Sequence, residues 1–62
     1  MELNIADMSC GGCVSSITEA VKQLDAEATV VADLETRNIE VNTTASEQQV
    51  REALSAAGYP AS

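Results

Sequence analysis

Two cysteines, Cys10 and Cys13, are separated by two residues in the segment MSCGGC at positions 8–13. Deprotonated thiols are soft ligands that select Cu(I), zinc or iron–sulfur clusters, and two of them at this spacing can bind one ion. The same spacing is also typical of dithiol–disulfide exchange. The motif therefore indicates metal binding or redox chemistry, and the rest of the chain must decide between them.

The number of available ligands limits which ion fits. A structural zinc site and an iron–sulfur cluster each require four ligands from the protein, whereas the chain has two cysteines and no histidine. Two sulfurs satisfy a low-coordinate ion such as Cu(I) or Hg(II), and they leave room for a thiolate from a partner protein. We therefore predict that Cys10 and Cys13 are metal ligands and that the ion is carried between proteins.

Length and composition exclude several other functions. Sixty-two residues form one domain, 1–62, with a limited core. Without histidine, general acid–base chemistry at neutral pH is disfavoured, so we expect no catalytic residue and no enzyme activity. The net charge of -7 repels phosphate, which argues against nucleic acid and anionic membranes as partners and favours a partner with a basic patch.

The chain contains no apolar run long enough to span a membrane, and its first residues contain neither a basic region nor an apolar stretch. We therefore expect a cytoplasmic protein with no membrane association. In that compartment the two cysteines are expected to be reduced thiols rather than a structural disulfide.

The hydrophobic pattern predicts the elements that position the cysteines. Alternating apolar residues predict strands over residues 2–6, 28–34 and 39–42, and a stripe of helical period over residues 14–24 predicts the first helix. The CxxC pair thus lies where a strand ends and a helix begins. Because a helix N-terminus has unpaired N–H groups and a partial positive charge, Cys13 and, to a lesser degree, Cys10 are expected to ionise readily. The intervening glycines predict an exposed, mobile site.

The second half of the chain repeats the pattern of the first. Ser46 and Gln49 have the spacing of a capping box, so a second helix is predicted to follow, with Gly58 placed to end it. Residues 59–61 are predicted to form a short fourth strand, restricted to an edge by Pro60. The order of elements predicts a ferredoxin-like βαββαβ sandwich of the α+β class: an antiparallel four-stranded sheet with two helices on one face.

With these elements in place, the chain resembles the heavy-metal-associated domain family. The segment MSCGGC at 8–13 resembles that family's MxCxxC loop, and VSSI at 14–17, the segment at 30–34 and AGY at 57–59 extend the resemblance over essentially the whole chain. The family comprises copper chaperones and the soluble metal-binding domains of copper-transporting P-type ATPases. The resemblance implies that Cys10 and Cys13 bind Cu(I) through sulfur, that Met8 packs in the core without binding metal, and that Tyr59 lies beside the loop, where it shields the site or tunes the thiols.

Two positions depart from the family pattern. Asp7 stands where many members have glycine, and we expect its carboxylate to face solvent. Gly11 and Gly12 stand between the cysteines, where many bacterial chaperones have a histidine. A carboxylate near the site could instead assist a harder divalent ion such as Zn(II) or Cd(II), and the glycine pair leaves open how the site excludes a second copper ion or resists dimerisation.

The resemblance implies a freestanding Cu(I) chaperone that delivers copper to a copper-transporting P-type ATPase or a copper-responsive regulator. It would be a monomer, or a dimer bridged by metal. Three alternatives stay open: a metal-binding domain of a P-type heavy-metal ATPase, a carrier of Hg(II), Zn(II) or Cd(II), and, from a different class, a dithiol oxidoreductase.

Overall fold

The computed structural model describes residues 1–61. Within this range the chain forms three strands and two helices, which occur in the order β1 (Glu2–Asn4), α1 (Gly11–Leu24), β2 (Thr29–Asp33), β3 (Asn38–Asn42) and α2 (Glu47–Ala56). Both helices pack on one antiparallel sheet. None of the helices in residues 1–61 has the length and apolar character needed to cross a membrane.

Strand β3 is the centre of the sheet, and its order is β1-β3-β2. Ile39 pairs with Leu3 of β1 on one side and with Ala32 of β2 on the other, both antiparallel. Because side chains alternate along a strand, this register points Leu3, Ile39 and Val41 toward the helices, where all three are buried. The first three predicted strands are confirmed, with bounds that differ by up to two residues.

The core is built from aliphatic side chains and one thioether. Every element except β2 contributes to one cluster of buried residues, and β2 packs against that cluster with half-buried side chains. The buried cluster consists of Leu3, Ile5, Met8, Cys13, Ile17, Val21, Ala28, Ile39, Val41, Val50 and Leu54. The single aromatic residue, Tyr59, is half-buried and packs against this cluster. Met8 and Cys13, which lie on either side of Cys10 in the chain, both belong to this cluster.

The start of α2 is fixed by the capping box that the sequence predicts. Ser46 Oγ accepts a hydrogen bond from the Gln49 amide, and Gln49 Oε1 accepts one from the Ser46 amide. Two N–H groups that would otherwise lack a partner are thereby satisfied at the helix entrance.

The end of α2 corrects the prediction of a fourth strand. The Tyr59 amide donates to the Leu54 carbonyl at 2.8 Å and the Gly58 amide donates to the Ser55 carbonyl at 3.1 Å, with Gly58 at φ 91°. This is the glycine-dependent helix end that the sequence predicts. Residues 59–61, however, do not form a strand.

The physical reason lies in the backbone donors of the last residues. The Tyr59 N–H is already used to close the helix end, and Pro60 has no N–H to donate to a sheet. The Ala61 carbonyl accepts instead from the Arg51 guanidinium at 3.0 Å. Over residues 1–61 the sheet therefore has three strands, and the predicted four-stranded ferredoxin-like sheet was wrong in its last strand.

We expect Gly58→Ala to destabilise the metal-free protein by about 1 kcal/mol, because a residue with a Cβ adopts this left-handed conformation at a cost. A Cβ at Gly58 would have no neighbour within 4 Å, so the effect would come from the backbone and not from a clash. Urea unfolding followed by far-UV circular dichroism measures it. Gly11→Ala is the matched control, since it also has free space and has no positive φ; an equal loss in both variants would contradict the explanation.

Candidate metal centre

The loop from β1 to α1 is fastened to the protein interior by Met8. The Met8 amide donates to the Ile5 carbonyl at 3.1 Å, which closes a turn just after β1. The Met8 side chain has 0% of its surface exposed and belongs to the core cluster. Met8 is therefore a core residue beneath the loop, as the resemblance implied, and its sulfur does not face the solvent side where the cysteines lie.

Cys10 is the residue that caps α1. Its backbone is extended, at φ -150° and ψ 164°, and its Sγ accepts a hydrogen bond from the Cys13 amide at 3.2 Å. The Cys10 carbonyl accepts from the amides of Cys13 and Val14 at 3.1 and 3.3 Å. A sulfur thus occupies the place that an oxygen of Ser, Thr, Asp or Asn usually takes at a helix start. The positive end of the helix is directed at this sulfur.

The two sulfur atoms lie together on the same side of the loop. Cys10 Sγ and Cys13 Sγ are 2.6 Å apart, and both cysteines are free thiols. Cys10 is exposed, whereas Cys13 retains only 8% of its surface. The prediction of an exposed site is thus right for Cys10 and wrong for Cys13, whose side chain points inward from the same face of α1 as Ile17 and Val21.

The two cysteines are not joined by a third Cys, His, Asp or Glu side chain of residues 1–61. Across residues 1–61, no group of three or more Cys, His, Asp or Glu side chains is arranged to hold a metal ion. Asp7 is exposed, as expected. The donor set that the described part of the chain offers is therefore two sulfurs, which suits an ion of low coordination number and not a closed four-ligand zinc site.

The surroundings of Cys13 favour its thiolate. The neighbouring Cys10 thiol, followed by the Tyr59 hydroxyl and the Ser9 backbone, lowers the pKa of Cys13 to about 7, although burial acts in the opposite direction. The sequence predicted the direction of this pKa change and attributed it to the helix end. In the structure the main cause is the hydrogen-bonding side chain of the other cysteine.

Tyr59 reaches the site from the far end of the chain. The turn at Gly58 reverses the backbone after α2 and brings Tyr59 beside Cys13. Its interaction with the Cys13 sulfur raises the pKa of the Tyr59 hydroxyl, while the Ser16 hydroxyl on α1 acts in the opposite direction. Ser16 is a participant that the hydrophobic pattern does not reveal, because it is a polar, exposed residue of α1.

Comparison with known proteins places this loop in a family. The model of the heavy-metal-associated domain matches residues 2–60. The chain belongs to the heavy-metal-associated domain family. The resemblance carried by the MSCGGC loop is thereby confirmed, and the three-stranded sheet is this family's fold seen without its last strand.

Solved structures of similar chains support the assignment to this family. The copper chaperone Atx1 from Synechocystis PCC6803, in a trimeric Cu1 form of a His61Tyr mutant, superposes with a TM-score of 0.98 at 32% identity, covering 100% of this chain and 98% of that one. A gold binding protein superposes with a TM-score of 0.95 at 44% identity over 98% and 94% of the two chains. A heavy metal binding protein from Thermotoga maritima gives 0.80 at 25% identity over 97% and 87%. No curated protein matches this heavy-metal-associated domain at a significant level.

The lowered pKa of Cys13 predicts a pH dependence of stability. A thiol with a pKa near 7 in the folded state, below its ordinary value of about 8.5, favours folding when it is ionised. The contribution is complete above the ordinary pKa and is lost as the pH falls through about 7. We therefore expect the free energy of unfolding of the metal-free, reduced protein to rise from pH 7 to pH 9, as measured by urea unfolding, and Cys13→Ser to abolish this rise.

Tyr59→Phe tests the cause of the lowered pKa. Removing the hydroxyl should raise the pKa of Cys13 and flatten the rise of stability with pH, since one of the two side chains that favour the thiolate is gone. Thiolate absorbance at 240 nm follows the titration directly. An unchanged midpoint in Tyr59→Phe would show that the hydroxyl does not tune the thiol.

Proposed function

We propose that this heavy-metal-associated domain is a carrier of Cu(I), which it binds between the thiolates of Cys10 and Cys13 and passes to a partner protein by thiolate exchange. The observation that supports this most is that Cys10 Sγ and Cys13 Sγ lie side by side, one exposed and one buried, with no third Cys, His, Asp or Glu ligand in the described part of the chain. Such a site suits the transfer of a metal ion from one pair of thiolates to another.

The ligand set favours a monovalent soft ion. Two thiolates match Cu(I) in softness and in coordination number, whereas Zn(II) prefers four ligands. Au(I) has the same preferences, and the gold binding protein at 44% identity makes it a second candidate cargo. Hg(II) also accepts two sulfurs, so discrimination among these ions has to be measured. Zn(II) and Cd(II) are expected to bind weakly.

Binding requires the two sulfurs to separate. With metal–sulfur distances of about 2.3 Å, a near-linear arrangement places two sulfurs roughly 4.6 Å apart, so one of the two adjacent sulfurs has to move when the ion binds. Cys13 is held in the core, so we propose that Cys10 swings outward. Space for this exists, because a Cβ on Gly11 would meet nothing within 4 Å and one on Gly12 would meet only Cys10 Sγ, at 3.9 Å.

The unequal exposure of the two ligands suggests an order of exchange. The Cys13 thiol, with its pKa of about 7, is largely ionised at slightly alkaline pH and serves as the fixed ligand. When the ion binds, a proton leaves Cys10, and both sulfurs are then coordinated. A partner thiolate can approach from the exposed side of Cys10, form a three-sulfur intermediate and displace Cys10 first.

The distribution of charge suggests what kind of partner docks here. Residues 8–18 and 53–61, which form the loop, the first turns of α1 and the end of α2, contain no charged side chain, although the chain has ten carboxylates. A neutral patch next to exposed Asp7, within an acidic protein, suits a partner with a basic rim. We propose a domain of a copper-transporting P-type ATPase or a copper-responsive regulator in the cytoplasm. Whether this single domain is freestanding or part of such an ATPase depends on the sequence that flanks it in the gene.

The proposed ligands predict the stoichiometry and selectivity of binding. Anaerobic titration with Cu(I) against a chelator should show about one ion per monomer, with a metal-bridged dimer at higher loading and much weaker zinc binding. Cys10→Ser and Cys13→Ser should each lower the Cu(I) affinity by more than about a hundredfold, since even the loss of an outer-shell partner can cost up to that factor. Parallel titrations with Au(I) would rank the two cargoes.

Ser15→Ala is the matched control, because it also changes a small side chain on α1, at an exposed position two residues after Cys13. It should bind Cu(I) as the wild type does. Zinc binding equal to Cu(I) binding would overturn the choice of metal. An affinity loss in only one of the two cysteine variants would overturn the two-sulfur site.

The contact between the two thiols and the lowered pKa of Cys13 also allow a dithiol oxidoreductase. Such an enzyme would reduce a protein disulfide such as that of insulin in the presence of a thiol reductant. We expect the rate to equal that of the reductant alone. Acceleration that is lost in both cysteine variants would favour the enzyme over the carrier.

A further inference from the structure

Arg37, in the turn between β2 and β3, has an unusual backbone conformation. Its φ is 63°, and among residues 1–61 no other residue except Gly58 has a positive φ. Gly or Asn adopts this conformation at lower cost than a residue with a long side chain. The backbone conformation of the turn therefore favours Gly or Asn over arginine at position 37. The contacts of the Arg37 side chain offset this conformational cost.

The turn that presents Arg37 is firmly held. The Asp33 carboxylate accepts hydrogen bonds from the amides of Glu35 and Thr36 at 2.9 and 3.4 Å, and the Asp33 carbonyl accepts from the Arg37 amide at 2.7 Å. The Asn4 side chain donates to the Thr36 carbonyl at 3.3 Å and so ties the turn to β1. Arg37 thus projects from a fixed base.

From this base Arg37 makes two hydrogen bonds to the start of the metal loop. Its carbonyl accepts from the Ile5 amide at 2.8 Å, and its Nη1 donates to the Ala6 carbonyl at 3.0 Å. The next polar contact along the loop is the one from the Met8 amide to the Ile5 carbonyl. The main chain and the side chain of Arg37 thus hold Ile5 and Ala6. Ala6 lies two residues before the buried Met8 and four residues before Cys10.

We propose that Arg37 is a positioning residue for the metal site. It clamps the first half of the loop to the sheet, so that the outward swing of Cys10 occurs in residues 9–12 alone and the bound ion is released slowly. The role in release rests on the proposed metal-carrier function, whereas the clamp itself belongs to the metal-free protein and can be tested separately. Arg37 neither binds the ion nor contacts the sulfurs.

Arg37→Gly tests the clamp, because glycine suits the left-handed φ and keeps the carbonyl contact while removing the guanidinium. In the reduced, metal-free protein we expect hydrogen exchange of the Met8 amide, followed by NMR, to accelerate about tenfold, the order expected for loss of a charge-assisted hydrogen bond. Exchange of the Val41 amide, which is bonded to the Met1 carbonyl at 2.7 Å, is the internal reference and should stay unchanged.

Two further variants separate the clamp from charge. Lys22→Gln removes the same unit of charge from the last turn of α1, at the helix end opposite to the cysteines, and should leave Met8 exchange unchanged. Arg37→Lys keeps a donor that can reach the Ala6 carbonyl and should restore most of the protection. In the copper-loaded protein, a competing chelator should remove Cu(I) several-fold faster from Arg37→Gly than from the wild type or Lys22→Gln.

The outcomes are distinguishable. Unchanged Met8 exchange in Arg37→Gly, or equal acceleration of Met8 and Val41, would overturn the clamp. Faster Met8 exchange with an unchanged rate of copper removal would overturn its role in metal release. If the wild-type protein did not hold Cu(I) on both cysteines, the proposed function would fail, while the exchange measurements would still decide whether Arg37 holds the loop.

Discussion

The structure depends on the sulfur atom of Cys10, which both caps a helix and lies beside the second cysteine sulfur. Cys10 Sγ caps α1 by accepting the hydrogen bond of the Cys13 amide, and the same atom lies against Cys13 Sγ. The start of the helix and the proposed metal site are therefore one feature. Any ion that draws Cys10 outward weakens a helix cap, but it leaves a negatively charged pair of thiolates near the positive end of the helix, which compensates for that loss.

The loop is held at its ends and free in its middle. Before the cysteines, Met8 is buried in the core and residues 5–6 are bonded to the β2–β3 turn. After them, Cys13 belongs to the buried stripe of α1. The segment between these anchors is exposed and contains two glycines without steric neighbours other than Cys10 itself. Such an arrangement confines motion to the exposed ligand, which is what ligand exchange with a partner requires.

Features governed by local rules could be predicted from the sequence. The capping box at Ser46, the helix end at Gly58 and the buried Met8 follow from spacing, glycine geometry and a family resemblance. The fourth strand could not, because its formation depends on a competition for the Tyr59 N–H, which the end of α2 wins. The burial of Cys13 could have been predicted, since it lies four residues before Ile17 on the same helix face. The left-handed φ of Arg37 has no local signal in the sequence.

The inequality of the two cysteines is the consequence that matters most for the proposed transfer. If both sulfurs were exposed, an incoming thiolate could displace either one, and the loop could open completely before the partner had engaged the metal. With Cys13 fixed in the core and favoured as a thiolate, the ion would keep one ligand in the proposed transfer until a third sulfur had bound. Tyr59 is held beside Cys13 by the turn at Gly58, and its hydroxyl favours the thiolate form of Cys13. In the proposed exchange, Cys13 would be the last of the two sulfurs to release the ion. The two halves of the chain thus meet at Cys13, the sulfur on which retention of the metal would depend in the proposed transfer.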